Sequence, residues 1–237
     1  MTSKNHSNGT DKLFAAAIIA ILSAVYIVCT CVRITATASP KPVFTVVIDA
    51  GHGGIDGGVS GKTSGARESE LNLDIARKLK EKFDNSGAKT VMTRKTDAGL
   101  YGIYSKGFKR RDMLKRKQIT INAKADVFVS IHLNYYSSPS RRGSQVFYKI
   151  DSEPSKTLAD IVQSELNETE EYERDYTALA GDYYVLNEAN CTAILCECGF
   201  LSNPEDEKLL LSEEYRDKIA ERIFNGIEKY RFSLVDK

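Results

Sequence analysis

The chain has 237 residues, of which 42% are hydrophobic and 27% charged, and its formal net charge is +1. These values are typical of a folded globular protein and argue against a disordered chain. A net charge so close to zero provides no basic field for an anionic polymer, so we expect no nucleic-acid partner.

The N-terminal part contains an uncharged apolar segment at 13–32, LFAAAIIAILSAVYIVCTCV. Because a helix of about 20 apolar residues can cross a bilayer, we predict a transmembrane signal anchor or a signal peptide here. A cytoplasmic tail at 1–12 would precede it, and a linker at 33–42 would follow. The length of the segment favours an anchor, whereas ATAS at 36–39 offers a cleavage site. In both cases the rest of the chain is exported, and the membrane is an expected partner.

Strands and helices alternate beyond the linker. Runs of β-branched residues predict strands at 43–50, 88–94, 125–134, 143–149 and 192–200, with YYVLNE at 183–188 as a further short strand. Apolar residues at helical spacing predict helices after residue 67, at about 155–170 and near the C-terminus. A basic helix is expected at about 109–124, and Pro204 near a first helical position predicts another after Asn203. This order predicts one α/β domain at 43–232, followed by a tail at 233–237. Its sheet would be mostly parallel, with roughly six strands and helices on both faces.

Two groups of residues have plain structural interpretations. The basic residues of the predicted helix are typical of a solvated face, with docking of an anionic polymer as the alternative; they are Lys109, Arg110, Arg111, Lys115, Arg116 and Lys117. Cys196 and Cys198 alternate with Glu197 along a predicted strand, so they share the face opposite to it. We interpret both cysteines as core residues, with metal binding as the alternative.

Chemically capable side chains follow the ends of the predicted strands. His52 follows the first strand within a glycine cluster, His132 ends the third, and Glu197 lies near the end of the strand at 192–200. Glu68 begins the helix after the first loop. Sites in open parallel sheets form beyond the carboxyl ends of the strands. Each residue alone also has a structural interpretation, but two His and one Glu suit zinc, and a second Glu suits a general base.

Five segments carry a resemblance to a known family: VVIDAGHGGIDGG, ESELNLDIARKL, VMTR, ADVFVSIHLN and CECGFLSNPED. In this order, over 43–232, the chain resembles zinc-dependent N-acetylmuramoyl-L-alanine amidases of the bacterial cell wall. The resemblance implies zinc on His52, Glu68 and His132, with Glu197 as the catalytic carboxylate. Glu70 is the alternative to Glu68.

Three further residues are expected near the site. Arg94 matches the arginine of the family's TR pair, which implies that it contacts substrate or orders the site. Asp49 and Asn134 lie beside predicted strand ends, where either side chain could orient a metal ligand.

The resemblance also implies a function, which is hydrolysis of the amide bond between muramic acid and L-alanine of peptidoglycan. The N-terminal segment, KRRDMLKRK and TALAGDYYVLNEANCTAILCECGF are most similar to germination-specific members. This similarity implies a role in spore cortex maturation, ahead of muramic-δ-lactam formation, in the space between the spore membranes. An accessory activating protein is a further expectation, which no residue supports. The alternatives are a zinc carboxypeptidase or endopeptidase acting within the peptide stem and a non-catalytic wall-binding protein.

Overall fold

The computed structural model describes residues 9–36, 43–169 and 175–235. The chain divides into two compact units, Met1–Pro42 and Val43–Lys237. In the first unit, helix α1 spans Gly9–Ala36.

The predicted transmembrane segment at 13–32 lies within α1. In the described ranges, no helix combines the length and the apolar character that crossing a membrane requires. The structure therefore does not support a membrane-spanning segment. Parts of the predicted tail at 1–12 and of the linker at 33–42 also belong to α1, and their other residues lie outside the described ones.

The second unit contains the remaining elements. Its strands are β1 (Thr45–Ala50), β2 (Lys89–Met92), β3 (Val127–Asn134), β4 (Gln145–Lys149), β5 (Leu179–Gly181) and β6 (Thr192–Phe200). Its helices are α2 (Glu68–Asp84), α3 (Phe108–Ala123), α4 (Glu153–Asn167), α5 (Tyr184–Asn187), α6 (Pro204–Leu211) and α7 (Glu213–Ser233).

The strands form one six-stranded sheet in the order β2-β1-β3-β6-β4-β5. The pairs β1–β2, β1–β3, β3–β6 and β4–β5 are parallel, and β4 pairs with β6 in the antiparallel direction. The prediction of a mostly parallel sheet in an α/β domain is therefore confirmed. As a result, the carboxyl ends of β1, β3 and β6 and the first residue of β4 lie at the same edge of the sheet.

Side chains alternate between the two faces of the sheet. Val46 and Ile48 of β1 belong to the larger core, which also contains buried residues of α2, α4 and α7. Val47, between them, belongs to a smaller core with Phe128 and Leu186. Helices therefore cover both faces. Cys196 and Cys198 are fully buried in the larger core, as predicted.

The predicted short strand at 183–188 is wrong. This segment contains the single-turn helix α5. The short strand that completes the six-stranded sheet is β5, which lies just before it. One helical turn is too short to show a periodic pattern, and Leu186, which is fully buried in the smaller core, fixes the turn through tertiary packing.

The basic helix α3 is only partly a solvated face. Lys109, Arg110 and Lys115 are exposed as expected, but Arg116 is fully buried. Its guanidinium pairs with Asp49 of β1 and with Asp112. A buried carboxylate such as that of Asp49 is costly without a counter-charge, which accounts for a buried arginine on this helix.

A close helix crossing offers a test of the packing. Gly226 of α7 lies against α4, where an added Cβ would be 2.7 Å from Cγ2 and 2.8 Å from Cα of Val162. We expect Gly226→Ala to lower the free energy of unfolding by about 1–2 kcal/mol. The steric overlap with Val162 destabilises the fold by more than the higher helix propensity of alanine stabilises it. Urea unfolding measures the change, with the exposed Glu221→Ala on the same helix as the control. A Gly226→Ala protein at least as stable as the wild type would contradict this packing.

Candidate active site

The turn after β1 brings His52 to the edge of the sheet. His52 has a φ of 61°, an uncommon backbone conformation for a residue other than glycine. A Cβ on the preceding residue, Gly51, would overlap Nε2 of His132, so glycine is required where the chain leaves β1 and passes this ring. The imidazole rings of His52 and His132 therefore approach to 5.0 Å between centroids.

The carboxylate of Glu68 lies between these two rings. Its Oε1 is 3.0 Å from Nδ1 of His132 and 3.3 Å from Nε2 of His52. One ligand atom from each of the three residues lies within 4.8 Å of the others, so the group has the dimensions of a metal site. Glu70, the alternative, is exposed and lies near Arg67 instead. The structure thus brings His52, Glu68 and His132 together.

The two imidazoles keep the carboxylate of Glu68 ionised. Burial disfavours the charge of Glu68, but its hydrogen bonds to His132 and His52 outweigh burial and hold the pKa of Glu68 far below its usual range. Burial lowers the pKa of His52, but the hydrogen bonds and negative charges of Glu68 and Asp56 together outweigh burial and raise it. A metal ion binds an ionised carboxylate and neutral imidazoles, so it would displace the proton that the raised pKa of His52 favours.

Neighbouring groups fix the position of the Glu68 carboxylate. The backbone N–H of Val59 donates to Oε2 at 2.9 Å, and that of Leu133 donates to Oε1 at 3.1 Å. Asn72, which the sequence analysis missed, donates to Oε1 at 3.2 Å from one turn along α2. Its spacing of four residues from Glu68 is the sequence signal that could have identified it.

A second carboxylate contacts the imidazole of His52 on the side away from Glu68. Nδ1 of His52 lies 3.1 Å from Oδ2 of Asp56, another residue that the sequence analysis missed. Asp56 also lies near Lys109. Since Asp56 is in a loop, no periodic pattern marks it in the sequence.

Glu197 lies beside His132 on the adjacent strand. The two residues are register partners in the β3–β6 pair. Glu197 is 8% exposed, and its Oε2 is buried without a hydrogen-bond partner among the described residues. Burial raises the pKa of Glu197 to about 7, against the influence of His132. A buried carboxyl with this pKa, next to candidate metal ligands, is typical of a proton-transfer group.

Arg94 binds backbone rather than facing solvent. Its buried guanidinium donates to the carbonyl oxygens of Ala50 at 2.8 Å, Gly51 at 2.9 Å and Ser69 at 2.7 Å. These bonds join the turn that carries His52 to the start of α2. The contacts favour an ordering role for Arg94 over contact with substrate.

Asp49 and Asn134 differ in their relation to the cluster. Asp49 accepts hydrogen bonds from Thr93, Ser130 and Arg116, and Arg116 in turn donates to the backbone oxygen of His52 at 2.7 Å. Asp49 therefore acts on His52 through Arg116. The Oδ1 of Asn134 accepts from the backbone of Tyr135, a contact that lies outside the cluster.

Comparison with known proteins agrees with this geometry. Residues 46–229 match the family model described as N-acetylmuramoyl-L-alanine amidase. The germination-specific N-acetylmuramoyl-L-alanine amidase of Bacillus subtilis is 33% identical over 78% of this chain and 78% of its own length.

Solved structures give the same result. The CwlD amidase from Clostridioides difficile, in complex with the GerS lipoprotein, has a TM-score of 0.77 and 37% identity, over 80% of this chain and 99% of that chain. The N-acetylmuramoyl-L-alanine amidase from Clostridium difficile 630 has a TM-score of 0.72 and 36% identity, over 81% of this chain and 98% of that chain. The chain therefore belongs to the N-acetylmuramoyl-L-alanine amidase family of hydrolases.

Proposed function

We propose that this protein is a zinc-dependent amidase that hydrolyses the amide bond between muramic acid and L-alanine of peptidoglycan, with 43–232 as its catalytic domain. The observation that carries the proposal is the convergence of His52, Glu68 and His132 at the sheet edge where Glu197 lies. Family membership supports the same reaction.

The residues present fit zinc. Two imidazole nitrogens and one carboxylate oxygen form a common ligand set of catalytic zinc sites. The side chains of His52 and His132 are 25% and 19% exposed, whereas Glu68 is 2% exposed, so the cluster is accessible from the side of the histidines. Zinc held there supplies a Lewis acid that polarises the substrate carbonyl and lowers the pKa of a water molecule.

Proton transfer is assigned to Glu197. The residue is 8% exposed and its Oε2 accepts no hydrogen bond from the described residues, so this carboxyl is the group we assign to take the proton of the attacking water. With a pKa near 7, the carboxyl can then return that proton to the departing amine of L-alanine. Arg94 donates a hydrogen bond to the backbone oxygen of Gly51, and Arg116 donates one to that of His52. These bonds fix the backbone that positions the imidazole of His52.

We further propose where the protein acts and with which kind of partner. Similarity to the germination-specific amidase of Bacillus subtilis supports a role in spore cortex maturation, outside the cytoplasm. The complex of the Clostridioides difficile amidase with a lipoprotein supports an accessory protein partner for this chain.

The reaction is tested by digestion of purified peptidoglycan. We expect the zinc-loaded protein to release whole peptides from muramic acid, and removal of zinc by a chelator to stop release until zinc is restored. Mass spectrometry of the products measures both effects. Cleavage within the peptide stem would indicate a carboxypeptidase or endopeptidase instead, and binding of the wall without cleavage would indicate a non-catalytic protein.

The role of Glu197 is tested by an isosteric change. Glu197→Gln is expected to lower kcat by about 10²–10⁴-fold, the usual contribution of a general acid–base group, without loss of bound zinc. Steady-state kinetics and metal analysis measure the two quantities. The exposed Glu205→Gln is the matched control. A fully active Glu197→Gln protein would remove this residue from the mechanism.

The support of Glu68 is tested separately. We expect Asn72→Ala to weaken zinc binding by about 10–100-fold, because the hydrogen bond that orients the carboxylate is lost. Competition with a chromogenic chelator measures the affinity. Ser155→Ala is the control, since Ser155 is also buried but accepts its bond from Ala193 at the other end of β6. Equal zinc affinity in both variants would show that Asn72 does not position Glu68.

A further inference from the structure

A polar cavity lies across β4 from the proposed catalytic strand. It has a volume of about 440 Å³ and is lined by Arg141, Gln145, Asp175, Tyr176, Thr177 and Leu179. Gln145 is the register partner of Glu197 in the antiparallel β4–β6 pair. Directly opposite residues in such a pair have Cβ atoms about 5 Å apart. The cavity therefore adjoins the position where the scissile amide would be cleaved.

The loop from β3 to β4 connects the metal-ligand cluster to the cavity. This loop begins after Asn134, two residues beyond His132, and ends at Gln145. Its backbone is anchored, since the N–H of Tyr136 donates to Oγ of Ser202 at 3.0 Å. Arg141 lies in this loop. Its guanidinium is thus placed at the same edge of the sheet as His132 and Glu197.

The guanidinium of Arg141 is available to a ligand. It lies over the ring of Tyr136, 4.8 Å from the centroid, and Arg141 is exposed. In the described part of the chain, no carboxylate lies within ion-pair distance of it. The larger cavity of about 620 Å³ between α4 and α7 differs, because its Arg222 and Lys229 both pair with Glu165.

The smaller cavity is lined by a cation, Arg141, and a carboxylate, Asp175, and such a pair of charges suits a peptide more than a glycan. A glycan chain offers hydroxyl and amide groups, whereas the peptide released by the amidase carries carboxylates. A planar guanidinium placed over a tyrosine ring can bind a carboxylate through two parallel hydrogen bonds. The volume lies within the range of about 300–1,000 Å³ typical of small-ligand sites.

We propose that Arg141 binds a free carboxylate of the peptide stem, so that the 440 Å³ cavity is the binding site for the leaving peptide. This inference rests on the proposed amidase function and adds a specificity determinant to it. Arg141 then selects substrates whose stem carboxylates are free over substrates in which they are amidated.

Kinetics on two matched substrates test the site. The substrates are soluble muramoyl peptides with free stem carboxylates and the same peptides with those carboxylates converted to amides. For the free form, Arg141→Gln is expected to raise KM and lower kcat/KM by about 10–100-fold with kcat retained, as for the loss of a hydrogen bond to a charged group. For the amidated form, Arg141→Gln and the wild type should have equal kcat/KM. Arg141→Lys keeps the charge but not the planar guanidinium. On the substrate with free carboxylates, its kcat/KM should lie between those of Arg141→Gln and the wild type.

Controls separate this site from other causes. Arg110→Gln removes an exposed arginine of α3 and should match the wild type on both substrates. Zinc content and the unfolding temperature should be the same in all variants. An equal loss on both substrates, or no loss on either, would overturn the role of Arg141 while leaving the amidase function intact. Absence of cleavage of both substrates by the wild type would overturn the amidase function, and this site with it.

Discussion

The buried charge of Glu68 is the interaction on which the site depends. A carboxylate removed from water costs several kcal/mol unless other groups compensate for the lost hydration. Here two imidazoles, two backbone N–H groups and the amide of Asn72 surround it. These partners come from four separate segments of the chain, so the carboxylate holds those segments together at one point. A divalent cation at the same point would add the largest compensating charge.

Two buried arginines hold the backbone around that point. Arg94 comes from the segment after β2 and Arg116 from α3, and both donate to the carbonyl oxygen of Ala50, at the end of β1. Arg116 also extends to the backbone of His52 and balances the charge of Asp49 below it. The turn that presents His52 is therefore fixed from two directions, which allows its φ of 61° to persist.

The sheet topology explains how one edge can serve a whole reaction. Parallel pairing places the ends of β1, β3 and β6 together, which brings His52 and His132 close to Glu197, and Glu68 joins them from the start of α2. The single antiparallel neighbour, β4, brings its first residue to the same edge. The loop that reaches β4 must therefore cross this edge, and it carries Arg141 there. Proposed metal binding, proton transfer and peptide recognition thus follow one another along adjacent strands.

The sequence by itself determined the α/β class, the mostly parallel sheet and the candidates His52, His132 and Glu197, because strand runs and strand-end residues are local patterns. Glu68, at the start of a helix, was selected by its place in a segment that resembles the family. The one-turn helix α5, the burial of Arg116 and the partners Asn72 and Asp56 were decided by the tertiary structure. Helical spacing indicates which residues share a face, but not which opposite charge that face will meet. Asp49 and Arg116 are 67 residues apart, so only the folded chain shows that they pair.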